Sequence, residues 1–228
     1  MDRGRLSLDI PAAHWSEERG KVESAGVELE AYLFPREIDL MRDTMKRSRC
    51  YLEFGTGGSC KVAAESGVKR IVSVDTDSSW SERVRNFVGR NFPGISADFV
   101  HIDLGEVEAW GYPVDRTPKP TWPSYFIRPW DILKSKGEKP DLIYIDGRFR
   151  VACTLYSILM LSLQSSWLSR PRATFMIHDF SSRDYYHKVL DYLRVVRAEN
   201  TLYVMEMLPK IDERALLADL LVYQADLR

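Results

Sequence analysis

A chain of 228 residues that carries 32 lysines and arginines against 33 acidic residues, for a net charge of −1, has no basic excess to mark a nucleic-acid binder. With 45% hydrophobic and 29% charged residues its composition is that of a folded globular protein rather than a disordered one, and its length suits one α/β domain. The most apolar run, Val151 to Leu163, falls short of the ~20 residues that cross a bilayer and reads as a buried helix, so no membrane association is expected.

Three scattered cysteines, Cys50, Cys60 and Cys153, have neither disulfide nor metal-ligand spacing and read as reduced thiols. The opening "MDRGRLSLDIPAAHW" lacks the apolar core of a signal peptide, and a cytoplasmic location is expected.

In chain order, "PREIDLMRDTMKRS" predicts a helix, "RCYLEFG" a strand, and "KVAAESG" a short helix closed by Gly67. "RIVSVDTD" is a second strand. "SSWSERVRNFVGR" sets Trp80, Val84, Phe87 and Val88 on one helical face, with Ser79 and Glu82 spaced as a capping box. "ADFVHID" is a third strand. From Leu104 to Lys139 the alternation breaks. Pro113, Pro118, Pro120, Pro123 and Pro129 lie among Trp110, Trp122 and Trp130, which predicts an ordered lid or a packing flap. "DLIYIDG" is a fourth strand, followed by a helix through Leu155, Ile158 and Leu159. "ATFMIHDF" is a fifth, followed by a helix carrying Tyr186, Val189, Leu190 and Leu193. "VVRAEN" and "TLYVMEML" form a hairpin, and "ERALLADLLVYQADL" a last helix packed outside.

The expected fold is therefore α/β: a doubly wound, mostly parallel seven-stranded sheet with helices on both faces and a C-terminal antiparallel hairpin. One domain spans residues 1–228, with a helical extension over about 1–48 and the Pro/Trp-rich insertion over about 104–139.

"YLEFGTGGSC" places a glycine turn directly after the first strand, where backbone N–H groups and a helix start can face a ligand. Dinucleotides and S-adenosylmethionine both use such a turn. Gly55 and Gly57 supply two glycines of a dinucleotide fingerprint, but Cys60 stands at the third position. Glu53 would repel a pyrophosphate and attract a sulfonium or ammonium, which favours the methyl donor. Asp75 ends the second strand, twenty residues after Gly55, and can accept ribose hydroxyls. Asp77 is its weaker rival. Asp103, after the third strand, is placed for an adenine amino group, with a solvated strand-end acid as the plain alternative.

"LEFGTGGS", "VSVD", "VHID" and "DLIYIDG", in this order, resemble the class I S-adenosylmethionine-dependent methyltransferases, a Rossmann-like family. The resemblance covers about Glu37 to Leu208 and includes the reversed last strand. It implies that Glu53, Gly55, Thr56 and Gly57 contact the methionine part of the cofactor, Asp75 the ribose and Asp103 the adenine. The methyl group would then lie beside the ends of the fourth and fifth strands. This makes Asp146, His178 and Asp179 the catalytic candidates, with His178 suited to act as a base near neutrality.

Catechol-type O-methyltransferases hold a divalent cation with an acid after the fourth strand and an Asp-Asn pair after the fifth. Asp146 and Asp179 match the acids, while Phe180 replaces the asparagine. Adjacent strand residues point to opposite faces, so His178 and Asp179 are not expected to converge and no metal site is assigned. Arg148, Arg150 and Arg183 could clamp a carboxylate or phosphate, which points to an anionic small-molecule acceptor. The alternatives are a non-catalytic binding or scaffold protein and, more distantly, an NAD-dependent oxidoreductase. Homo-oligomerisation stays open.

Overall fold

The protein is represented by a computed structural model that describes residues 29–163 and 173–228. The elements in chain order are α1 (Pro35–Met45), β1 (Cys50–Phe54), α2 (Gly58–Glu65), β2 (Arg70–Asp75), α3 (Ser78–Asn91), β3 (Ser96–His101), α4 (Ser124–Ser135), β4 (Leu142–Ile145), α5 (Arg150–Leu163), β5 (Thr174–Ile177), β6 (Leu193–Glu199), β7 (Leu202–Met207) and α6 (Glu213–Tyr223). Of the expected extension, residues 1–28 lie outside the described residues.

The seven strands form one sheet in the order β3-β2-β1-β4-β5-β7-β6. The first five pair in parallel, while β7 runs antiparallel to both β5 and β6. Alternation along each strand divides the apolar side chains between two faces. Leu52, Phe54, Val72, Val74, Ile143 and Ile145 pack with α4, α5 and Leu216 of α6. Tyr51, Ile71, Leu142, Tyr144 and Met176 pack with α1, α2 and α3. Helices therefore cover both faces, and β1 and β4 are neighbours from which the chain winds outward in both directions. That junction is the switch point where open α/β sheets form a ligand crevice.

Three local expectations are corrected. The cap of α3 is Asp77, whose carboxylate accepts from Trp80 N at 2.9 Å, so Ser79 lies inside the helix. The helix expected after β5 is a 3₁₀ helix over Asp184–Asp191, and Leu193 opens β6 instead. Its buried Tyr186 and Val189, with Tyr192 just beyond, recur every third residue, which is the 3₁₀ period rather than the α period.

The third correction concerns the Pro/Trp-rich stretch. Its second half is α4, one of the helices that cover the sheet. Trp122 and Trp130 are buried in the core, because burying a large ring outweighs keeping a lone indole N–H in water. Its first half folds back on itself. Val107 bridges Pro113, Glu108 N donates to Tyr112 O at 2.7 Å and Val114 N to Glu106 O at 2.8 Å. Exposed Trp110 and Gly111 turn the tip at φ of 67° and 72°.

At the switch point two glycines meet. Gly55, at φ +103°, follows β1, and a Cβ there would lie 2.6 Å from Gly147 N. Gly67, at φ +92°, closes α2 with open space around it. Gly55→Ala should therefore destabilise by clearly more than Gly67→Ala, which carries only the roughly 1–2 kcal/mol of left-handed strain. Urea unfolding of both variants measures the difference. Equal losses would mean that the glycine contact is not tight.

Candidate functional site

Beyond Gly55 the chain enters Gly57 in an extended conformation, and Gly57 caps α2 with no side-chain hydrogen bond. A Cβ at Gly57 would meet nothing nearer than Ser59 Oγ at 4.0 Å, so the backbone here is open to close approach. Gly58 is the opposite case. A Cβ there would lie 2.2 Å from the carbonyl carbon of Glu30, because the segment before α1 crosses the start of α2. The open cradle is thus one residue wide and sits at the carboxyl edge of the sheet.

Asp75 holds this loop in place. Its carboxylate accepts from Thr56 N at 2.9 Å, Thr76 N at 2.7 Å and Asp77 N at 2.9 Å. Burial raises its pKa to about 6 despite those three donors. Thr56 is buried, shares a 2.6 Å hydrogen bond with Ser73 Oγ, and accepts from Trp80 Nε1 through its carbonyl.

Glu53 does not face the crevice as an open charge. It is fully buried and accepts from Tyr51 Oη (2.7 Å), Ser59 Oγ (2.7 Å), Cys60 Sγ (2.8 Å) and Ser73 Oγ (2.6 Å). Burial pushes its pKa up against these four donors. The expected attraction of a sulfonium is therefore replaced by internal bonding that ties β1, β2 and α2 together. Asp103 lies exposed past the end of β3 and accepts from Gly105 N at 2.8 Å.

The three catalytic candidates do meet. Asp179 sits at φ +58°, so the chain leaves β5 in a left-handed turn and strand alternation ends there. His178 Nδ1 lies 3.1 Å from Asp146 Oδ1 and 3.9 Å from Asp179 Oδ1. The other ring nitrogen, Nε2, is 3.6 Å from Glu37 Oε2. Carboxylates at both ring nitrogens favour the imidazolium. Burial opposes the charge, but Asp146 and Glu37 outweigh it and raise the His178 pKa to about 10. Asp146 is held well below the usual carboxylate range: His178 and Arg150 overcome its burial, and Tyr144 Oη donates to it at 3.1 Å.

Arg150 stands at the centre. Its Nη2 lies 3.0 Å from Asp146 Oδ1 and 3.3 Å from Asp179 Oδ2. It also donates to three backbone carbonyls, Gly147 O at 3.1 Å, His178 O at 2.7 Å and Asp146 O at 2.9 Å. Arg183 adds a 2.9 Å pair to Asp179. Asp146, His178 and Asp179 offer ligand atoms within 4.8 Å of one another, a spacing that could hold a metal ion. The guanidinium already bonds both carboxylates, so the residues as arranged do not fit a divalent cation.

Sequence reasoning missed Glu37. Helix α1 delivers it fully buried to the sheet edge, where it accepts from Phe34 N, Thr201 N and Thr201 Oγ1. Burial alone would raise its pKa, but the His178, Phe34 and Thr201 hydrogen bonds hold it at about 2. An acid three residues into a helix signals a cap, and Glu37 does cap Phe34 N. Its reach to a residue 164 positions away leaves no trace in local sequence.

No protein-family model and no curated protein matches the chain. Solved structures do. A methyltransferase-like protein from Silicibacter pomeroyi DSS-3 is 27% identical with a TM-score of 0.72, over 87% of this chain and 98% of its own. Cofactor-bound Rv0187 from MTB is 14% identical with a TM-score of 0.52, over 81% of this chain and 85% of its own. Strand order, reversed last strand and glycine turn agree with these likenesses: the chain has the fold of the class I S-adenosylmethionine-dependent methyltransferases.

Proposed function

We propose that this chain is an S-adenosylmethionine-dependent methyltransferase acting on an anionic small molecule. The observation that carries this reading is the Gly57 cradle, open at the switch point and fixed from β2 by Asp75. Gly55, Thr56 and Gly57 would hold the methionine part and Asp75 the ribose. The bound cofactor supplies an activated methyl group. The balanced charge of the chain supports a small acceptor over a nucleic acid.

The protein's own part is to align and to exclude water, effects worth up to ~7–11 kcal/mol in favourable intramolecular cases. A proton-accepting role for His178 is not supported, because an imidazolium between two carboxylates has no lone pair to offer. The cluster acts instead as a rigid floor beside the reaction. Such a floor suits an acceptor that arrives already ionised, a carboxylate or a phenolate, and needs no base. The saturated network also favours a second reading, a binding protein that keeps the fold without turnover. Donor binding followed by a screen of ionised acceptors distinguishes the two.

Calorimetric titration should show binding of S-adenosylhomocysteine but not of NAD, unchanged by Mn²⁺ or by a chelator. Asp75→Ala, if still folded by circular dichroism, should weaken that binding by at least ~10-fold, the value of one good charged hydrogen bond. Because Asp75 titrates near 6, affinity in the parent chain should fall as pH drops below that value and level off above it. A pH-independent affinity, or an unaffected variant, would remove Asp75 from the site.

The His178 ring resonances in an NMR titration should report an imidazolium up to about pH 9. With a folded pKa of about 10 above the ordinary 6.5, the stabilisation from His178 is complete below pH 6.5 and is lost as pH rises toward 10. Titration near 6.5 would return His178 to the list of bases.

A further inference from the structure

We propose that Arg148 binds the oxyanion group, carboxylate or phosphate, of the acceptor, beneath the hairpin of residues 105–116. The anion site rests on the geometry around Arg148, and only its assignment to an acceptor rests on the methyltransferase reading above.

Three arginines are buried among the described residues: Arg70, Arg148 and Arg150. Two are fully matched. Arg70 pairs with Asp98 and, at 2.6 Å, with Glu138. Arg150 has its two carboxylates and three carbonyls. Arg148 is 5% exposed and forms no ion pair among the described residues, and its Nε and Nη1 are buried without a hydrogen-bond partner. Leaving an ionised, buried donor unsatisfied is costly, and folded chains tolerate it where a ligand or ion completes the bonding.

The neighbouring network has no charge to spare. Glu37, Asp146 and Asp179 are matched by Arg150, His178 and Arg183. No carboxylate among the described residues pairs with Arg148, and a bound oxyanion would complete the bonding of its Nε and Nη1.

The side chain is also positioned. Arg148 N lies 3.4 Å from Tyr125 Oη, and Arg148 O accepts from Cys153 Sγ at 3.3 Å, which fixes its backbone at the mouth of β4. The guanidinium stacks 3.9 Å from the centre of the Tyr112 ring. Tyr112 is held in turn by the hairpin, whose tip rests just past the end of β2, where Thr76 Oγ1 donates to Gly111 O at 3.2 Å. Stacking fixes the guanidinium plane and leaves its edge N–H groups for planar oxyanion recognition. Arg148 follows Asp146 by two residues, so the subsite adjoins the crevice.

The test is thermal unfolding of the full chain at constant ionic strength, titrated with inorganic phosphate in one arm and acetate in the other, with chloride as the reference. Saturable stabilisation by one or both oxyanions is expected, and which arm responds tells phosphate from carboxylate. Arg148→Gln should weaken the apparent affinity by about 10-fold or more, and Tyr112→Leu, which spares the charge, by several-fold. No stabilisation beyond chloride, or equal stabilisation in Arg148→Gln, overturns the proposal. S-adenosylhomocysteine is titrated into the same samples. Its binding should survive Arg148→Gln, and its loss there would make Arg148 a donor residue and overturn the acceptor assignment. If the oxyanion binds while S-adenosylhomocysteine binds to no sample, the anion site stands and the methyltransferase reading falls.

Discussion

One guanidinium ties together the ends of two neighbouring strands. Arg150 satisfies carbonyls just beyond β4 and β5 and neutralises the carboxylates that project from both ends. Parallel strands end with unpaired backbone groups at the edge where function is placed, and those groups need partners if water is to be kept out. Arg150 supplies them from the first turn of α5. Its five donor positions suit the task, and a lysine there could reach the charge but not the fan of acceptors. The left-handed turn at Asp179 and the Asp146 carboxylate that faces His178 both meet at that centre.

Two arginines two residues apart thus have opposite circumstances. Arg150 is saturated and structural. Arg148 is buried, stacked and incomplete. Composition cannot separate them, since both follow the same strand and both are arginine. The separation comes from what converges on each, and that is a property of the fold. The same holds for the carboxylates. Asp75 takes only backbone donors, Glu53 only side-chain donors, and Asp146 a mixture of ions and a phenol.

Much of the architecture was legible because it rests on local pattern. The β-branched runs of β1 to β5, the reversed hairpin and the glycine turn are each readable within about ten residues, and the alternation of strands with helices implies a mostly parallel sheet. What failed was non-local or depended on one torsion. The stretch around α4 is left between a lid and a packing flap by its sequence, because the burial of Trp122 and Trp130 depends on α5, far along the chain. His178 and Asp179 converge where strand alternation would part them, because alternation assumes extended φ and Asp179 has +58°. Glu53 read as open because its four donors come from three separate elements. The candidate cluster of Asp146, His178 and Asp179 is legible from strand-end position, while its charge state and its keystones, Arg150 and Glu37, arise from contacts made across the fold.

The bond from Glu37 to Thr201 has a consequence for how the site is completed. Helix α1 and the β6–β7 hairpin lie at opposite ends of the described chain, yet both must dock before His178 acquires its second carboxylate. Bringing segments of such sequence separation together costs loop-closure entropy that only the docked contacts repay. The same docking of the chain around α1 lays Glu30 across Gly58 and gives His178 its second counter-charge, so the glycine loop and the charge cluster are completed together. The electrostatic state of the site thus depends on a helix that lies far from it in sequence.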